Sequence, residues 1–287
     1  MKLGEALFNI HEQLVETGFH DARIEAEVIL CHVLAIDRVV MLRDLQESLI
    51  LEQEDLVTTL VKRRLEGEPL SYITGTREFY ALSFEITEDV LIPRQETELL
   101  VEAVIKFSKK RDWRLLNIAD VGTGSGAIAV AIAVNIPFAR VTAIDISQKA
   151  LKVADVNRRT HGVQDRVLLK LGNLLEPLSG EMNIIVSNPP YIPEGDIDGL
   201  QREVLREPRL ALAGGPDGLT VIRNLLWQAK LKLSSLGMMV FEIDPSQALK
   251  TSQLSKEMFP NASITVLDDL SGKHRAILID ASGDAKS

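Results

Sequence analysis

Cysteine is almost missing from this chain of 287 residues. The single one, Cys31, leaves no intramolecular disulfide and no thiolate metal cluster, a usage that fits a reducing compartment. Cys31 itself lies in the apolar helical pattern EVILCHVLA and is expected to pack in a core. A basic excess is missing too. Lys plus Arg number 32 against 41 Asp plus Glu, a formal net charge of -9, which argues against gripping duplex nucleic acid by broad counterion release. Long apolar runs are absent: the longest, Ala127 to Val134, falls far short of the roughly 20 residues that span a bilayer. The N-terminal MKLGEALFNIHEQ lacks the unbroken apolar segment of a signal peptide, because Glu5 and His11 interrupt it. These absences predict a cytoplasmic protein without a membrane anchor. The five histidines, His11, His20, His32, His161 and His274, are scattered without metal-ligand spacing, so no metal is expected.

What is present is globular: 46% hydrophobic and 25% charged residues, over a length that suits two domains. From Leu3 to about Glu66 apolar residues recur at helical spacing, as in Leu7, Ile10, Leu14 and then Ile24, Val28, Leu34, with Gly18 and Asp21 as stop and cap. The basic stretch VKRRLEG reads as the solvated face of a helix that ends at Gly67 and Pro69. A small helical domain over residues 1–80 follows. The alternation in REFYALSFEITEDVLIP predicts a short hairpin or extended linker over residues 81–93. Over residues 94–281, helical patterns alternate with seven short apolar strands: LLNIADVG, ARVTAIDIS, RVLLKLGN, NIIVSNPP, GMMVFEID, SITVLDD and HRAILID. Strands separated by helices predict an α/β domain with a doubly wound, mostly parallel seven-stranded sheet. Only the terminal ASGDAKS reads as frayed. Trp113 and Trp227 read as packing residues, and Glu96 and Glu98 as acids that complement a helix N-terminus.

NIADVGTGSGAIAVAIA is a strand, a glycine-rich turn and an apolar helix in succession. Gly122, Gly124 and Gly126 permit unusual backbone angles and let a ligand lie against the main chain at a helix N-terminus. The loop alone is ambiguous, since Gly122, Gly124 and Ala127 also satisfy the relaxed dinucleotide pattern, with Asp145 ending the next strand where a ribose-binding carboxylate would stand. Two details favour S-adenosylmethionine over a nicotinamide cofactor. The spacing is G-x-G-x-G, and Asp120, two residues ahead of it, is expected to face the ligand. A carboxylate there repels a pyrophosphate and suits a cofactor that carries a sulfonium and an ammonium.

The second motif, IVSNPPYIPEG, ends a strand in a rigid turn on the same side of the sheet. A planar nitrogen has a delocalised lone pair and is a poor nucleophile, so it must be held in line by acceptors on its N–H groups. Asn188 supplies a side-chain carbonyl, Pro189 a backbone carbonyl with no competing N–H, Pro190 stiffness, and Tyr191 a flat face for a planar amide or base. No general base is required, since a methylated nitrogen becomes acidic and loses its proton to water.

The chain resembles the release-factor glutamine N5-methyltransferases. EPLSYITGTREFY, VLIPRQETELLVE, DVGTGSGAIA, AIDIS, GNLLEPL, IVSNPPYIP, REPRLALAGGPDGL and DLSGKHRAILI carry the likeness along nearly the whole length. It implies a class I methyltransferase fold, S-adenosyl-L-methionine as cofactor with S-adenosyl-L-homocysteine as product, and as substrate the glutamine of the Gly-Gly-Gln loop of class I peptide-chain release factors. Carried onto this sequence, it places Asp120, Gly122, Thr123, Gly124, Ser125, Gly126, Asp145 and Ile146 at the cofactor, Asn173 and Leu174 near its adenine, and Asn188 beside both cofactor and substrate. Asn188, Pro189, Pro190 and Tyr191 would grip the glutamine, with Asn188, Pro189 and Tyr191 as the catalytic set, and the N-terminal helices would help dock the release factor. Two positions depart from the family pattern. Gln95 stands where proline is usual, and Asp244 replaces a glycine, a change that a left-handed backbone would tolerate.

Three other readings compete. A nucleic-acid amino-methyltransferase of the adenine-N6 type would use the same acceptors, but the acidic balance and the lack of a long basic stretch count against it. An NAD-dependent oxidoreductase would explain the glycine loop and leave Asn188 to Tyr191 without a role. A non-enzymatic module that binds release factor or ribosome would have lost an acceptor or a glycine, and here all are present.

Overall fold

The computed structural model describes residues 1–110 and 112–282. They gather into two compact units, Met1–Gly75 together with Gln201–Arg206, and Thr76–Leu200 together with the chain from Glu207 onward. Of the terminal ASGDAKS, Ala281 and Ser282 form a turn, with the Ser282 N–H donating to Asp280 Oδ1 at 3.0 Å; the other five residues lie outside the described chain.

The first unit is helical: α1 (Leu3–Glu16), α2 (Ala22–Leu34), α3 (Arg38–Arg43), α4 (Leu51–Leu65) and α5 (Leu70–Thr74). In α1, Leu7, Ile10 and Leu14 are buried, as their spacing predicts. The helix closes at Gly18, whose φ of +91° lets Gly18 N–H reach the Val15 carbonyl at 2.9 Å and Phe19 N–H the Leu14 carbonyl at 3.0 Å. The phase of α2 departs from the sequence reading. Ile24 and Val28 are exposed, and Ala22, Ala26, Ile29 and Leu30 are buried, because the face that packs in the core is the one made small by alanines. Cys31 packs against that core from a half-buried position.

Arg64 corrects the reading of VKRRLEG as a solvated face. Its side chain is 2% exposed. Nε and Nη2 donate to the Glu25 carboxylate at 2.6 and 2.8 Å, Nη2 also to Glu203 at 2.7 Å, and Nη1 to the Glu68 carbonyl at 3.1 Å. The guanidinium lies 4.0 Å from the Phe19 ring centroid. A buried cation survives there because two carboxylates and an aromatic face replace its water.

The second unit opens with a hairpin of β1 (Thr76–Phe79) and β2 (Leu82–Glu85). Its turn residues Tyr80 and Ala81 both have positive φ, +51° and +56°, a conformation normally left to Asn and Gly. The N–H of Tyr80 is fixed by Glu98 Oε1 at 2.8 Å, so Glu98 anchors this turn as well as opening a helix. Then follow α6 (Glu98–Ser108), β3 (Leu116–Val121), α7 (Ala127–Asn135), β4 (Ala139–Asp145), α8 (Gln148–Thr160), β5 (Val167–Leu171), β6 (Met182–Ser187), α9 (Arg209–Leu212), α10 (Thr220–Ala229), β7 (Leu233–Glu242), α11 (Ala248–Met258), β8 (Ser263–Asp268) and β9 (His274–Asp280). The seven-stranded sheet runs in the order β5-β4-β3-β6-β7-β9-β8, parallel except for β9, which is antiparallel to both its neighbours. The expected doubly wound, mostly parallel sheet is therefore present. After β3 the chain builds outward one way through β4 and β5, then returns to start β6 on the other side. That reversal opens a crevice at the carboxyl ends of β3 and β6, where open α/β sheets hold ligands.

Candidate active site

The carboxyl ends of β3 and β6 are paired neighbours, Val121 opposite Ser187, and the Ser187 hydroxyl donates to the Val121 carbonyl at 2.7 Å. Each strand is largely buried up to that point, then breaks: β3 into the glycine loop, β6 into Asn-Pro-Pro-Tyr. The two breaks abut, since a Cβ on Gly122 would stand 3.8 Å from the Asn188 carbonyl oxygen.

The three loop glycines all have positive φ, and they do different work. A Cβ on Gly126 would press on Ala154 of α8 at 3.1 Å, so this glycine lets α7 and α8 pack closely. A Cβ on Gly124 would meet nothing within 4 Å: it borders open space, as a ligand cradle must. Gly122 and Thr123 donate their N–H groups to the Ile144 carbonyl at 2.9 and 3.0 Å, tying the loop to β4.

Asp145 ends β4. Its Oδ2 accepts the Gly124 N–H at 2.9 Å and its Oδ1 the Ser147 N–H at 2.8 Å, leaving each oxygen a lone pair. Burial raises its pKa, and the backbone donors of Ser147 and Gly124 oppose the rise. Asp120 does not line the cleft as the sequence suggested. It is fully buried behind the loop, Oδ2 accepting from Thr123 Oγ1 at 2.6 Å and from the Ala129 N–H at 3.1 Å, while Oδ1 is buried with no hydrogen-bond partner. Burial drives its pKa up to about 7, against the pull of those two donors.

The cleft is lined by Gly122, Gly124, Asp145, Ile146, Leu174, Asn188 and Pro190 among the residues singled out from sequence. Thr123, Ser125, Gly126 and Asn173 do not line it, and Pro189 and Tyr191 adjoin it through their chain neighbours Asn188 and Pro190. Thr123 and Ser125 are buried supports, the Ser125 carbonyl accepting from Asn157 Nδ2 at 2.8 Å, and Asn173 is exposed and bonded to Glu176 at 3.0 Å. Leu174 holds a left-handed φ of +51°, a costly angle for leucine, at the cleft wall. Val90, Leu91, Pro208, Leu210 and Ala211 also line the cleft and were not anticipated. Their two segments are clamped together by the buried Glu207, which accepts the Ile92 N–H at 3.0 Å and pairs with Arg94. Arg94 is thereby a structural partner.

Asn188 and Tyr191 are linked by residues that sequence reasoning passed over. Asn188 Nδ2 donates to Thr97 Oγ1 at 3.1 Å, Thr97 Oγ1 donates to Glu242 Oε2 at 2.6 Å, and Tyr191 Oη donates to Glu242 Oε1 at 3.1 Å. Gln247 Nε2 fixes the Tyr191 carbonyl at 2.9 Å, and a Cβ on Gly218 would collide with that same oxygen. Burial raises the pKa of Tyr191, with the Glu242 charge adding to it, so the phenol stays neutral and donates; burial likewise raises that of Glu242. A signal for Glu242 existed: an acid ends the buried strand GMMVFE at the edge where ligands bind. The flanking departures have plain accounts. Gln95 is exposed at the start of a single turn, and Asp244 is extended, with φ -69°, capping the next turn through the Ser246 N–H at 2.9 Å. No left-handed backbone is needed there.

Apolar walls, an open backbone cradle at Gly124 and the Asp145 carboxylate beside it suit a cofactor that bears an apolar ring and ribose hydroxyls. Among the described residues no acid, cysteine or histidine cluster could hold a metal ion, and no helix is long and apolar enough to cross a membrane.

Comparison with known proteins places the chain in a family. Residues 95–242 match the methyltransferase small domain and residues 5–75 the PrmC N-terminal domain. The chain is 41% identical to the release factor glutamine methyltransferase of Moorella thermoacetica, over 97% of this chain and 98% of that protein. It is 36% identical to the protein of the same name from Bacillus anthracis, over 98% and 99%. A methyltransferase structure from Pyrococcus furiosus shares the fold with a TM-score of 0.51 at 17% identity, covering 79% of this chain and 99% of that one. On identity of this level along almost its full length, the chain belongs to the release factor glutamine methyltransferases.

Proposed function

We propose that this enzyme methylates the side-chain amide nitrogen of the glutamine in the Gly-Gly-Gln loop of class I peptide-chain release factors, in the cytoplasm, and so modulates translation termination. The observation that carries the reading is the pairing of Val121 with Ser187, which sets the glycine loop and Asn188 on one cleft. Gly122 and Gly124 would cradle S-adenosylmethionine by their backbone, Asp145 would accept its ribose hydroxyls, and Ile146 and Leu174 would flank its adenine. The chemistry supplied by that cofactor is an electrophilic methyl on a sulfonium, with S-adenosyl-L-homocysteine left behind.

The protein's own part is to make a poor nucleophile serve. Asn188 Oδ1 and the Pro189 carbonyl accept the two amide N–H groups of the substrate, turning its lone pair out of the hydrogen-bonding plane and toward the methyl. Tyr191, fixed at its carbonyl by Gln247 and at its hydroxyl by Glu242, offers the planar amide a rigid ring. The proton that the nitrogen sheds passes to water. The same acceptors would suit an exocyclic base amine, but the formal net charge of -9 favours a protein substrate.

Asn188→Ala tests the assignment. Turnover on a purified release factor is expected to fall on the order of 100-fold or more, the scale of losing one oriented hydrogen bond to the reacting group, with cofactor affinity by calorimetry unchanged within about 3-fold. Near-normal turnover would reject the role.

A further inference from the structure

A carboxamide has one end that accepts and one that donates, and only the oxygen can hold a substrate N–H. Turned over about its terminal bond, Asn188 would meet the reacting amide donor to donor. The surroundings of Asn188 decide which end faces where. Thr97 Oγ1 lies 2.6 Å from the Glu242 carboxylate and 3.1 Å from Asn188 Nδ2. A hydroxyl has a single proton. Spent on the carboxylate, it leaves Thr97 able only to accept from Asn188, so the amino end of the carboxamide is bound to Thr97 and Oδ1 is turned away from it.

We infer that Thr97 and Glu242 are positioning residues that orient the Asn188 carboxamide, so that its oxygen meets the nitrogen to be methylated. The inference rests on the reading of Asn188 as the substrate's acceptor and adds the device that aims it. Three separate segments converge to build it: the turn before α6, the end of β7 and the end of β6. Thr97 is 4% and Glu242 2% exposed, so water does not readily replace either partner. Glu242 also accepts from Tyr191 Oη with its other oxygen, so one carboxylate organises both side chains of the motif.

The test uses the full-length enzyme, purified class I release factor and labelled S-adenosylmethionine. Thr97→Val keeps the shape and removes the hydroxyl; its kcat should fall about 10- to 100-fold, the scale of losing a partner that orients a site ligand, with KM for the release factor and cofactor Kd within about 3-fold. Thr97→Ser, which restores the hydroxyl, should recover kcat to within about 3-fold of the parent. In an Asn188→Ala background Thr97→Val should cost less than about 2-fold more, because Thr97 acts through Asn188. A normal kcat for Thr97→Val, a fall in KM terms alone, or full additivity with Asn188→Ala would each overturn the inference. Normal turnover in Asn188→Ala would instead overturn the substrate reading beneath it, and a crippled Asn188→Ala beside a normal Thr97→Val would remove only the positioning device. One readout needs no substitution: in 15N-labelled enzyme the Asn188 side-chain amide protons should exchange at least about 10-fold more slowly than those of the exposed Asn261, and equal exchange would also overturn it.

Discussion

Charged side chains are buried in both units, but the helical unit gives each one an opposite charge. Glu27 sits between Arg23 at 2.8 Å and Arg38 at 2.6 Å, and Arg64 between Glu25 and Glu203. In the methyltransferase unit Glu207 follows the same rule with Arg94. Asp120 and Glu242 do not. They are buried against hydroxyls and an N–H, with no cation at ion-pair distance among the described residues, and both have raised pKa values. Paired charges are structural and settled. Carboxylates held by neutral donors at strand ends keep acceptor capacity in reserve, and they cluster where chemistry is done.

Four substitutions would break or sharpen that contrast. The largest effect is expected at Asp120. Its folded pKa of about 7 lies above the 3.8 of a free aspartate, so folding favours the protonated acid. The ionisation penalty is absent below pH 4, grows between the two values and is constant above about 7. Asp120→Asn removes it, so the stability difference between variant and parent should move in the variant's favour by up to about 4 kcal/mol from pH 4 to 8 in denaturant titrations. A difference that is flat with pH would mean that Asp120 is compensated like Arg64. Next in size, Arg64→Ala strands Glu25 and should cost the helical unit about 3 kcal/mol, read as amide exchange on the order of 100-fold faster in α2 and α4. Glu203→Gln should cost less than about 1 kcal/mol, because Glu203 is 40% exposed. Equal costs would place the pair's strength at the wrong carboxylate. Between these two lies Asp145→Ala, expected to weaken cofactor binding by about 2 kcal/mol, the scale of a charge-assisted hydrogen bond, with folding stability little changed. Undiminished affinity by calorimetry would put the ribose elsewhere.

The contrast also separates what could be read from the sequence. The glycine loop, Asn-Pro-Pro-Tyr and the alternation of strands with helices are local signals: a turn residue or an apolar run announces them where they stand. The α1 face was legible for the same reason. The α2 face was not, because Ile24 and Val28 outweigh alanines on any apolar count, yet the alanines are what pack. Trp227, read as packing, is 59% exposed. Arg64 looked like one more residue of a basic run; its partner Glu203 is 139 residues away, and nothing in the chain marks Gln201–Arg206 as part of the helical unit. Thr97 and Glu242 escaped for that reason too, being 145 residues apart. Pairwise partners at such distances are set by tertiary structure, and a single sequence carries no trace of them.

The central claim is that this cleft aims a glutamine carboxamide nitrogen at a sulfonium methyl. The most direct measurement is to incubate the enzyme with labelled S-adenosylmethionine and a purified class I release factor, with an adenine-containing oligonucleotide as a parallel acceptor, and locate the label by fragment mass spectrometry. The account predicts a methyl on the side-chain nitrogen of the Gly-Gly-Gln glutamine and none on the oligonucleotide. Label on another residue, or on the base amine, would contradict it.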